Sequence, residues 1–231
     1  MNLTHRSYQK ELLDEDHIPF PDILRNMQEL DFINTWLGGH GITISGFKEL
    51  LGDKRKIHVC EIGCGGGDNL VAITRWCRKR DIEVHCTGID IKKECIEVAS
   101  RQPALSGRIT LITSDYAEAV FRTQPDIIFS SLFCHHFTEE ELDGQVKWMK
   151  DNAKTGFFIN DLQRNKLAYY LIKWLTTLFS SSYLVKNDAP LSVARGFHKK
   201  EWLKIFKDAG FHKISIRWKW AFRYLIVYRH G

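Results

Sequence analysis

Glu61 ends a short apolar run and is followed by three closely spaced glycines, Gly63, Gly65 and Gly67. Glycine permits the positive backbone angles of a tight strand-to-helix turn and leaves no Cβ between the backbone and a bound ligand. A pyrophosphate-binding fingerprint, G-x-G-x-x-G, requires a third glycine where this chain has Asp68, and an acid there would lie near phosphate charge. Glu61 suits instead a ligand with a positive charge, such as the ammonium of an amino acid. The turn therefore predicts a nucleotide site that is not specific for a dinucleotide.

A second acid follows the next predicted strand. Residues 85–91 predict a strand that carries Asp90 near its end. In doubly wound folds an acid at this interval from the glycine turn accepts hydrogen bonds from both ribose hydroxyls. Asp90 is therefore the candidate ribose-binding residue. A third predicted strand, residues 109–113, leads into Asp115.

A pair of histidines follows the fourth predicted strand, residues 126–131. A phenol has a reference pKa near 10, so a base that removes its proton helps at neutral pH, and histidine is the natural choice. His136 is the favoured candidate for this base and His135 the second, with Asp161 in a position to orient it. The alternative is that the pair caps a helix or fills space.

Two arginines near the fifth predicted strand and the segment after it are further candidates. Arg164 follows residues 156–162 and is expected to orient the base or to bind a polar group of a substrate. Arg195 is a candidate for binding an anion. A surface salt bridge explains Arg195 equally well.

The order of these motifs resembles that of class I S-adenosylmethionine-dependent methyltransferases. The resemblance rests on the E-x-G-x-G-x-G turn, on Asp90, on Asp115 and on the segment after the fourth strand. It implies S-adenosyl-L-methionine as the cofactor and S-adenosyl-L-homocysteine as the product, with Asp115 accepting from the adenine amino group. The cofactor-binding residues that it implies are Glu61, Gly63, Cys64, Gly65, Gly67, Asp90, Ile91, Asp115, Tyr116 and Leu132.

A narrower resemblance is to small bacterial methyltransferases associated with type III polyketide synthases. It implies O-methylation of a small hydrophobic, phenolic acceptor, so the expected partner is an aromatic or lipid-like small molecule. A C-methyltransferase of quinone-like biosynthesis would share the whole cofactor site, and a non-catalytic binding protein that retains the fold is a third alternative. Four segments carry this resemblance, residues 36–39, 131–136, 160–164 and 188–193.

Strands and helices alternate along the chain, which predicts an α/β protein with a doubly wound, mainly parallel sheet. The resemblance implies seven strands in a Rossmann-like methyltransferase fold, with N-terminal helices and a helical insertion that forms a lid. A single domain, residues 1–231, is expected. Its predicted parts are an N-terminal helical cap (1–50), a cofactor-binding core (51–162), a helical insertion or lid (163–196) and a C-terminal helix with a strand pair (197–231).

The positions of prolines and the spacing of apolar residues predict helices before and after the cofactor-binding core. Pro19 and Pro21 predict two helical stretches between residues 7 and 37, broken at the prolines. Residues 167–179 predict an apolar helix that is too short to span a bilayer. It is interpreted as a lid, with a core helix or a homodimer interface as the alternatives. Residues 188–190 predict a turn.

The composition of the chain limits the class of protein, its partners and its cellular compartment. The chain has 231 residues, of which 44% are hydrophobic and 26% charged, as in an ordinary globular domain. The formal charge of +5 is scattered along the chain, so no nucleic-acid partner is expected. Six cysteines without a C-x-x-C pair, and the lack of a signal peptide or membrane span, predict a reduced cytoplasmic protein. No metal site is expected, because His135 and His136 are adjacent rather than at ligand spacing.

Overall fold

Apolar runs of five to eight residues form one central sheet in a computed structural model that describes residues 3–231. Up to residue 162 the strands alternate with α-helices, except that only a 3₁₀ turn, Tyr116–Glu118, lies between the third and fourth strands, so parallel neighbours are joined by crossovers. The strands are β1 (Lys56–Ile62), β2 (Glu83–Asp90), β3 (Ile109–Thr113), β4 (Ile127–Ser131), β5 (Gly156–Leu162), β6 (Ser215–Lys219) and β7 (Arg223–Arg229).

The spatial order of the strands is β3-β2-β1-β4-β5-β7-β6. The first five pair in parallel, and β7 runs antiparallel to both β5 and β6. Strand order reverses between β1 and β4, and ligands of open α/β sheets bind at such a switch point. The predicted doubly wound, mainly parallel seven-stranded sheet is confirmed.

Eight α-helices flank the described sheet. Helices α2 and α3 pack on one face, where Phe129 and Phe158 stack with ring centroids 4.8 Å apart. Helices α5 and α8 cover the other face, where Trp202 and Phe157 are fully buried. The helices are α1 (Phe20–Trp36), α2 (Gly39–Leu51), α3 (Asp68–Arg78), α4 (Lys93–Ser100), α5 (Glu139–Asn152), α6 (Lys166–Phe179), α7 (Tyr183–Arg195) and α8 (Lys199–Asp208).

The helix predicted after the prolines is confirmed as α1, but the helical stretch predicted before them is wrong except for one short 3₁₀ turn. Within residues 3–18, the described part of the chain before the prolines, the one helical element is a 3₁₀ turn, Leu12–Asp14. Pro19 precedes α1, and Pro21 lies in its first turn. The N–H groups of a first turn make no hydrogen bond within the helix, so a proline there costs none. The second helix, α2, was not predicted, and it buries Phe47 against the sheet.

The turn predicted at residues 188–190 is also wrong. Helix α7 continues through Pro190. Ser182 caps the helix by accepting from the N–H of Val185, and Asp188 accepts from the N–H groups of Leu12 and Leu13. These contacts stabilise α7 and oppose the cost of a proline inside the helix. Among residues 3–231, no helix combines the length and the apolar character needed to cross a bilayer.

The burial of α2 gives a direct test of its place in the core. Phe47 is fully buried, so Phe47→Ala should lower the free energy of unfolding by about 3–5 kcal/mol. The matched control is Phe32→Ala on α1, where the side chain is 61% exposed, and its expected effect is below about 0.5 kcal/mol. Urea unfolding measures both. Equal losses in the two variants would contradict the packing of α2.

Candidate functional site

The glycine turn connects β1 to α3 and forms the floor of a cavity of about 520 Å³. Gly63 has a φ of +65°, and a Cβ built on it would lie 2.2 Å from the ring of Phe133. Only glycine fits there, because both the backbone angle and the close approach of the ring exclude a side chain. The turn therefore brings the ends of β1 and β4 together at the carboxyl edge of the sheet.

Glu61 is almost completely buried beneath this cavity. Its Oε1 accepts from the side-chain amide of Asn69 at 3.0 Å, and its Oε2 has no hydrogen-bond partner. Burial raises the pKa of Glu61 well above its usual range, and the carboxylates of Asp68 and Asp90 raise it further. A cationic group of a ligand would supply the missing partner and favour the ionised form.

Asp90 ties the end of β2 to the glycine turn. Its Oδ2 accepts from the N–H of Gly65 at 2.9 Å, and its Oδ1 from the N–H of Lys92 at 2.9 Å. Each carboxylate oxygen retains capacity to accept from a ligand hydroxyl. Asp115 lies across the cavity mouth, where its Oδ1 accepts from the N–H of Ala117 at 2.8 Å. The two acids thus stand at neighbouring strand ends, as the sequence predicted.

Nine of the ten predicted cofactor-binding residues line this cavity. Gly67 does not line it and instead precedes α3 with a φ of +76°. The sequence reasoning missed Asn34, whose side-chain amide donates to Asp68 at 3.0 Å. No local signal points to Asn34, because it reaches the cavity from α1. The nine lining residues are Glu61, Gly63, Cys64, Gly65, Asp90, Ile91, Asp115, Tyr116 and Leu132.

A second cavity of about 340 Å³ lies between α1, α6, α7 and the β6–β7 connection. Apolar side chains from these elements, such as Ile33, Leu171 and Trp220, form most of its wall. The two cavities share four lining residues and therefore border one another at a junction formed by these side chains. Those residues are Leu13, Leu30, Leu132 and His136.

The segment after β4 carries the histidines to this junction. Leu132 has a φ of +54°, which is uncommon for a branched residue, and its N–H donates to the carbonyl of Asn160 at 2.9 Å. The N–H of Phe133 donates to Asp161. His135 and His136 then occupy one 3₁₀ turn with their ring centroids 4.5 Å apart. Strained backbone of this kind is concentrated at functional sites.

His135 is buried between two carboxylates. Its Nδ1 lies 2.8 Å from Oδ1 of Asp161, and its Nε2 lies 3.4 Å from Oε1 of Glu11. Burial alone would lower the pKa of His135, but these carboxylates outweigh it and raise the pKa to about 9. Both ring nitrogens of His135 therefore have protein partners.

His136 is partly exposed and lines both cavities. Its Nδ1 lies 3.3 Å from Oδ1 of Asp14, and its Nε2 lies 3.7 Å from Oε2 of Glu11. Sequence reasoning missed Glu11 and Asp14, because nothing in the spacing connects residues so far apart along the chain. Of the three predicted catalytic residues, His135 and His136 line the second cavity, and Asp161 lies behind His135.

The two candidate arginines line neither cavity. Arg164 donates to the carboxylate of Glu201 at 2.6 Å and to the carbonyl of Gly196 at 2.6 Å. Arg195 donates to the carbonyl oxygens of His135 at 3.1 Å and His136 at 2.9 Å. The arginines hold backbone in place, and Arg195 fixes the histidine turn itself.

Residues 59–156 match the family model of a methyltransferase domain. The matched segment begins within β1 and ends at the start of β5, so it contains the glycine turn, Asp90, Asp115 and both histidines. No curated protein sequence matches the chain.

Solved structures with similar folds include three that span most of this chain. A possible exported protein from Bordetella parapertussis has a TM-score of 0.62 and 17% identity, covering 83% of this chain and 67% of its own. Human N-acetylserotonin methyltransferase in complex with SAM has a TM-score of 0.62 and 16% identity, and the match covers 92% of this chain and 57% of that protein. Magnesium protoporphyrin IX methyltransferase from Synechocystis with bound SAH has a TM-score of 0.52 and 17% identity, and the match covers 94% of this chain and 90% of that protein. The likeness establishes a Rossmann-like methyltransferase fold.

The close approach at Gly63 predicts a steric effect. Gly63→Ala should lower the free energy of unfolding by about 1–3 kcal/mol, because the new Cβ overlaps the ring of Phe133. Gly144→Ala in α5, where a Cβ would meet nothing within 4 Å, should raise stability by up to about 1 kcal/mol. Chemical denaturation compares the two. A Gly63→Ala protein as stable as the wild type would refute the close packing of the Phe133 ring on the turn.

Proposed function

We propose that this chain transfers a methyl group from S-adenosyl-L-methionine to a small hydrophobic acceptor. The observation that carries the proposal is the unpartnered Oε2 of Glu61, buried beneath the larger cavity. The ammonium group of the methionine moiety would satisfy it. The methyltransferase match over residues 59–156 and similar folds solved with SAM or SAH support the same ligand.

The rest of the larger cavity suits the nucleoside part of this cofactor. Asp90 and Ile91 both line this cavity, where Asp90 would accept from the ribose hydroxyls and Ile91 would offer an apolar surface to the adenine. Asp115 and Tyr116 lie at the adenine end, where Asp115 would accept from the amino group. Leu132 would then lie beside the sulfonium, at the junction with the second cavity.

The second cavity supports an aromatic or lipid-like acceptor, because its wall is mostly apolar. Helix α6 continues this apolar character onto the surface, where Trp174 is 59% exposed and Leu178 56% exposed. Helices α6 and α7 lie within residues 163–196 and line the cavity, which supports their interpretation as a lid. A homodimer that covers α6 is the alternative use of the same surface.

An acceptor hydroxyl at the junction would lie beside His136. Methyl transfer requires the attacking atom in line with the bond from carbon to sulfur, so alignment supplies much of the rate. We propose that the cluster of Glu11, His135 and His136 receives the hydroxyl of a phenolic acceptor, and that Asp161 positions His135. O-methylation follows from this arrangement. The resemblance to methyltransferases associated with type III polyketide synthases points to the same acceptor class and stays a prediction.

Two alternatives use the same fold. A C-methyltransferase of quinone-like biosynthesis would need the same cofactor cavity and an apolar acceptor. A non-catalytic binding protein is disfavoured, because Glu61, Asp90 and Asp115 all line the cavity. All six cysteines are free and buried, which supports the proposal of a reducing, cytoplasmic compartment.

Calorimetric titration with S-adenosyl-L-homocysteine tests the cofactor assignment without knowledge of the acceptor. Saturable binding is expected, with no binding of NAD or ATP under the same conditions. Asp90→Ala should weaken it by at least about tenfold, since a hydrogen bond to a charged group contributes about 1.5–3 kcal/mol. Asp115→Asn is the milder comparison, because it retains an acceptor oxygen. Equal affinity in Asp90→Ala and wild type would refute the ribose assignment.

A separate measurement tests the acceptor side. His136→Ala should leave the affinity for S-adenosyl-L-homocysteine within about twofold and slow turnover at least about 100-fold, as expected for loss of a side chain that promotes ionisation of the acceptor hydroxyl. Turnover is followed by release of S-adenosyl-L-homocysteine with a panel of phenols and quinone precursors. His85→Ala, an exposed histidine on β2, is the control. Unchanged turnover in His136→Ala would remove it from the catalytic residues.

A further inference from the structure

Glu11, His135 and His136 bring one ligand atom each to within 4.8 Å of one another. Nε2 of His135 lies 3.4 Å from Oε1 of Glu11, and Nε2 of His136 lies 3.7 Å from Oε2. In a tetrahedral site with bonds of about 2.0–2.1 Å, neighbouring ligand atoms are about 3.4 Å apart. The three side chains are therefore spaced as the ligands of one cation.

The Nδ1 atoms of both histidines, which lie near carboxylates other than that of Glu11, give a second, independent observation that favours a cation site. Nδ1 of His135 lies 2.8 Å from Asp161, and Nδ1 of His136 lies 3.3 Å from Asp14. Histidines that bind metals almost always donate their other N–H to a carboxylate, a carbonyl or water, which fixes the tautomer. Metal binding would release the Nε2 proton that His135 otherwise holds between its two carboxylates, while Nδ1 of each histidine would keep its carboxylate partner. The lone pair of each Nε2 would then face Glu11.

The backbone of the two histidines is fixed as well. Arg195 donates to the carbonyl oxygens of His135 and His136, and Arg6 donates to that of His135 at 3.3 Å. These bonds fix the backbone of the turn, in which the two ring centroids lie 4.5 Å apart. Adjacent histidines are poor ligands in a helix or a strand, where their side chains diverge. The expectation that adjacency excludes a metal does not apply to this turn.

We infer that Glu11, His135 and His136 bind a divalent first-row transition cation, with Zn²⁺ the best match. Two imidazoles and one carboxylate suit Zn²⁺, whereas Mg²⁺ prefers oxygen ligands in an octahedral arrangement. All three ligands line the second cavity, so a fourth coordination position would open toward the acceptor. This is the arrangement of catalytic rather than structural zinc sites.

The consequence for the reaction rests on the proposed function, whereas the binding of the cation does not. A phenolic hydroxyl at the open position would lose its proton to solvent more easily, because its oxygen binds a cation. That oxygen then forms the bond to the methyl carbon, and the electron pair of the breaking carbon–sulfur bond stays on sulfur. S-adenosyl-L-homocysteine leaves, and the cation is not consumed.

The test measures the cation directly, on full-length protein stripped with a chelator and free of cofactor. Competition with a chromophoric chelator should show one tightly bound Zn²⁺ per chain, unaffected by excess Mg²⁺. Glu11→Gln and His136→Ala should each weaken binding at least about 100-fold, and Asp161→Asn about 10–100-fold, as for other outer partners of a metal-bound histidine. His136 is partly exposed, so its variant is the one expected to keep its fold, and circular dichroism checks this.

His40→Ala is the matched control, because His40 belongs to the other group of histidine and carboxylates, with Asp31 and Asp68. It should retain the bound Zn²⁺. Loss of Zn²⁺ in His40→Ala but not in His136→Ala would overturn the inference, as would a folded wild type that binds no Zn²⁺. A protein that binds S-adenosyl-L-homocysteine but does not bind Zn²⁺ would refute the cation site alone. A protein that binds Zn²⁺ but does not bind S-adenosyl-L-homocysteine would refute the proposed cofactor alone.

Discussion

The carboxylate of Asp161 is the interaction on which the site depends. It lies fully buried at the end of β5, 2.8 Å from Nδ1 of His135, and it accepts from the N–H of Phe133. Burial would raise the pKa of Asp161, but the imidazole of His135 holds it below its ordinary value. Because the segment after β4 is held in this way, the Phe133 ring packs on Gly63 and His136 reaches the junction of the cavities.

Two groups of buried carboxylates stand on opposite sides of that junction, although the chain as a whole carries a formal charge of +5. Burial raises the pKa of Glu61 and Asp90 on the cofactor side, where these groups have few cationic partners. On the acceptor side, burial would do the same to Glu11, but His135 and His136 lower its pKa. The carboxylate of Glu11 thus has cationic partners within the protein, whereas we propose that Glu61 receives its cationic partner from a ligand.

The acceptor side is assembled from parts distant in sequence. The 3₁₀ turn before α1 supplies Glu11, the segment after β4 supplies the histidines, and α7 supplies Asp188, which binds the backbone of Leu12 and Leu13. Two exposed apolar side chains of α6, Leu171 and Trp174, border the same cavity. Helices and loops thus form most of the wall of the smaller cavity, whereas the larger cavity lies at the carboxyl ends of β1, β2 and β4.

The sequence by itself determined the sheet, the glycine turn and the position of Asp90, since strands and tight turns follow from short apolar runs and from glycine. It did not determine α2 or the continuation of α7 through Pro190, because packing on the sheet and the contacts of Asp188 override local signals. Only the tertiary structure decided that Glu11 meets His135 and His136. Side chains so far apart in the chain converge through long-range packing, for which one sequence contains no periodic signal.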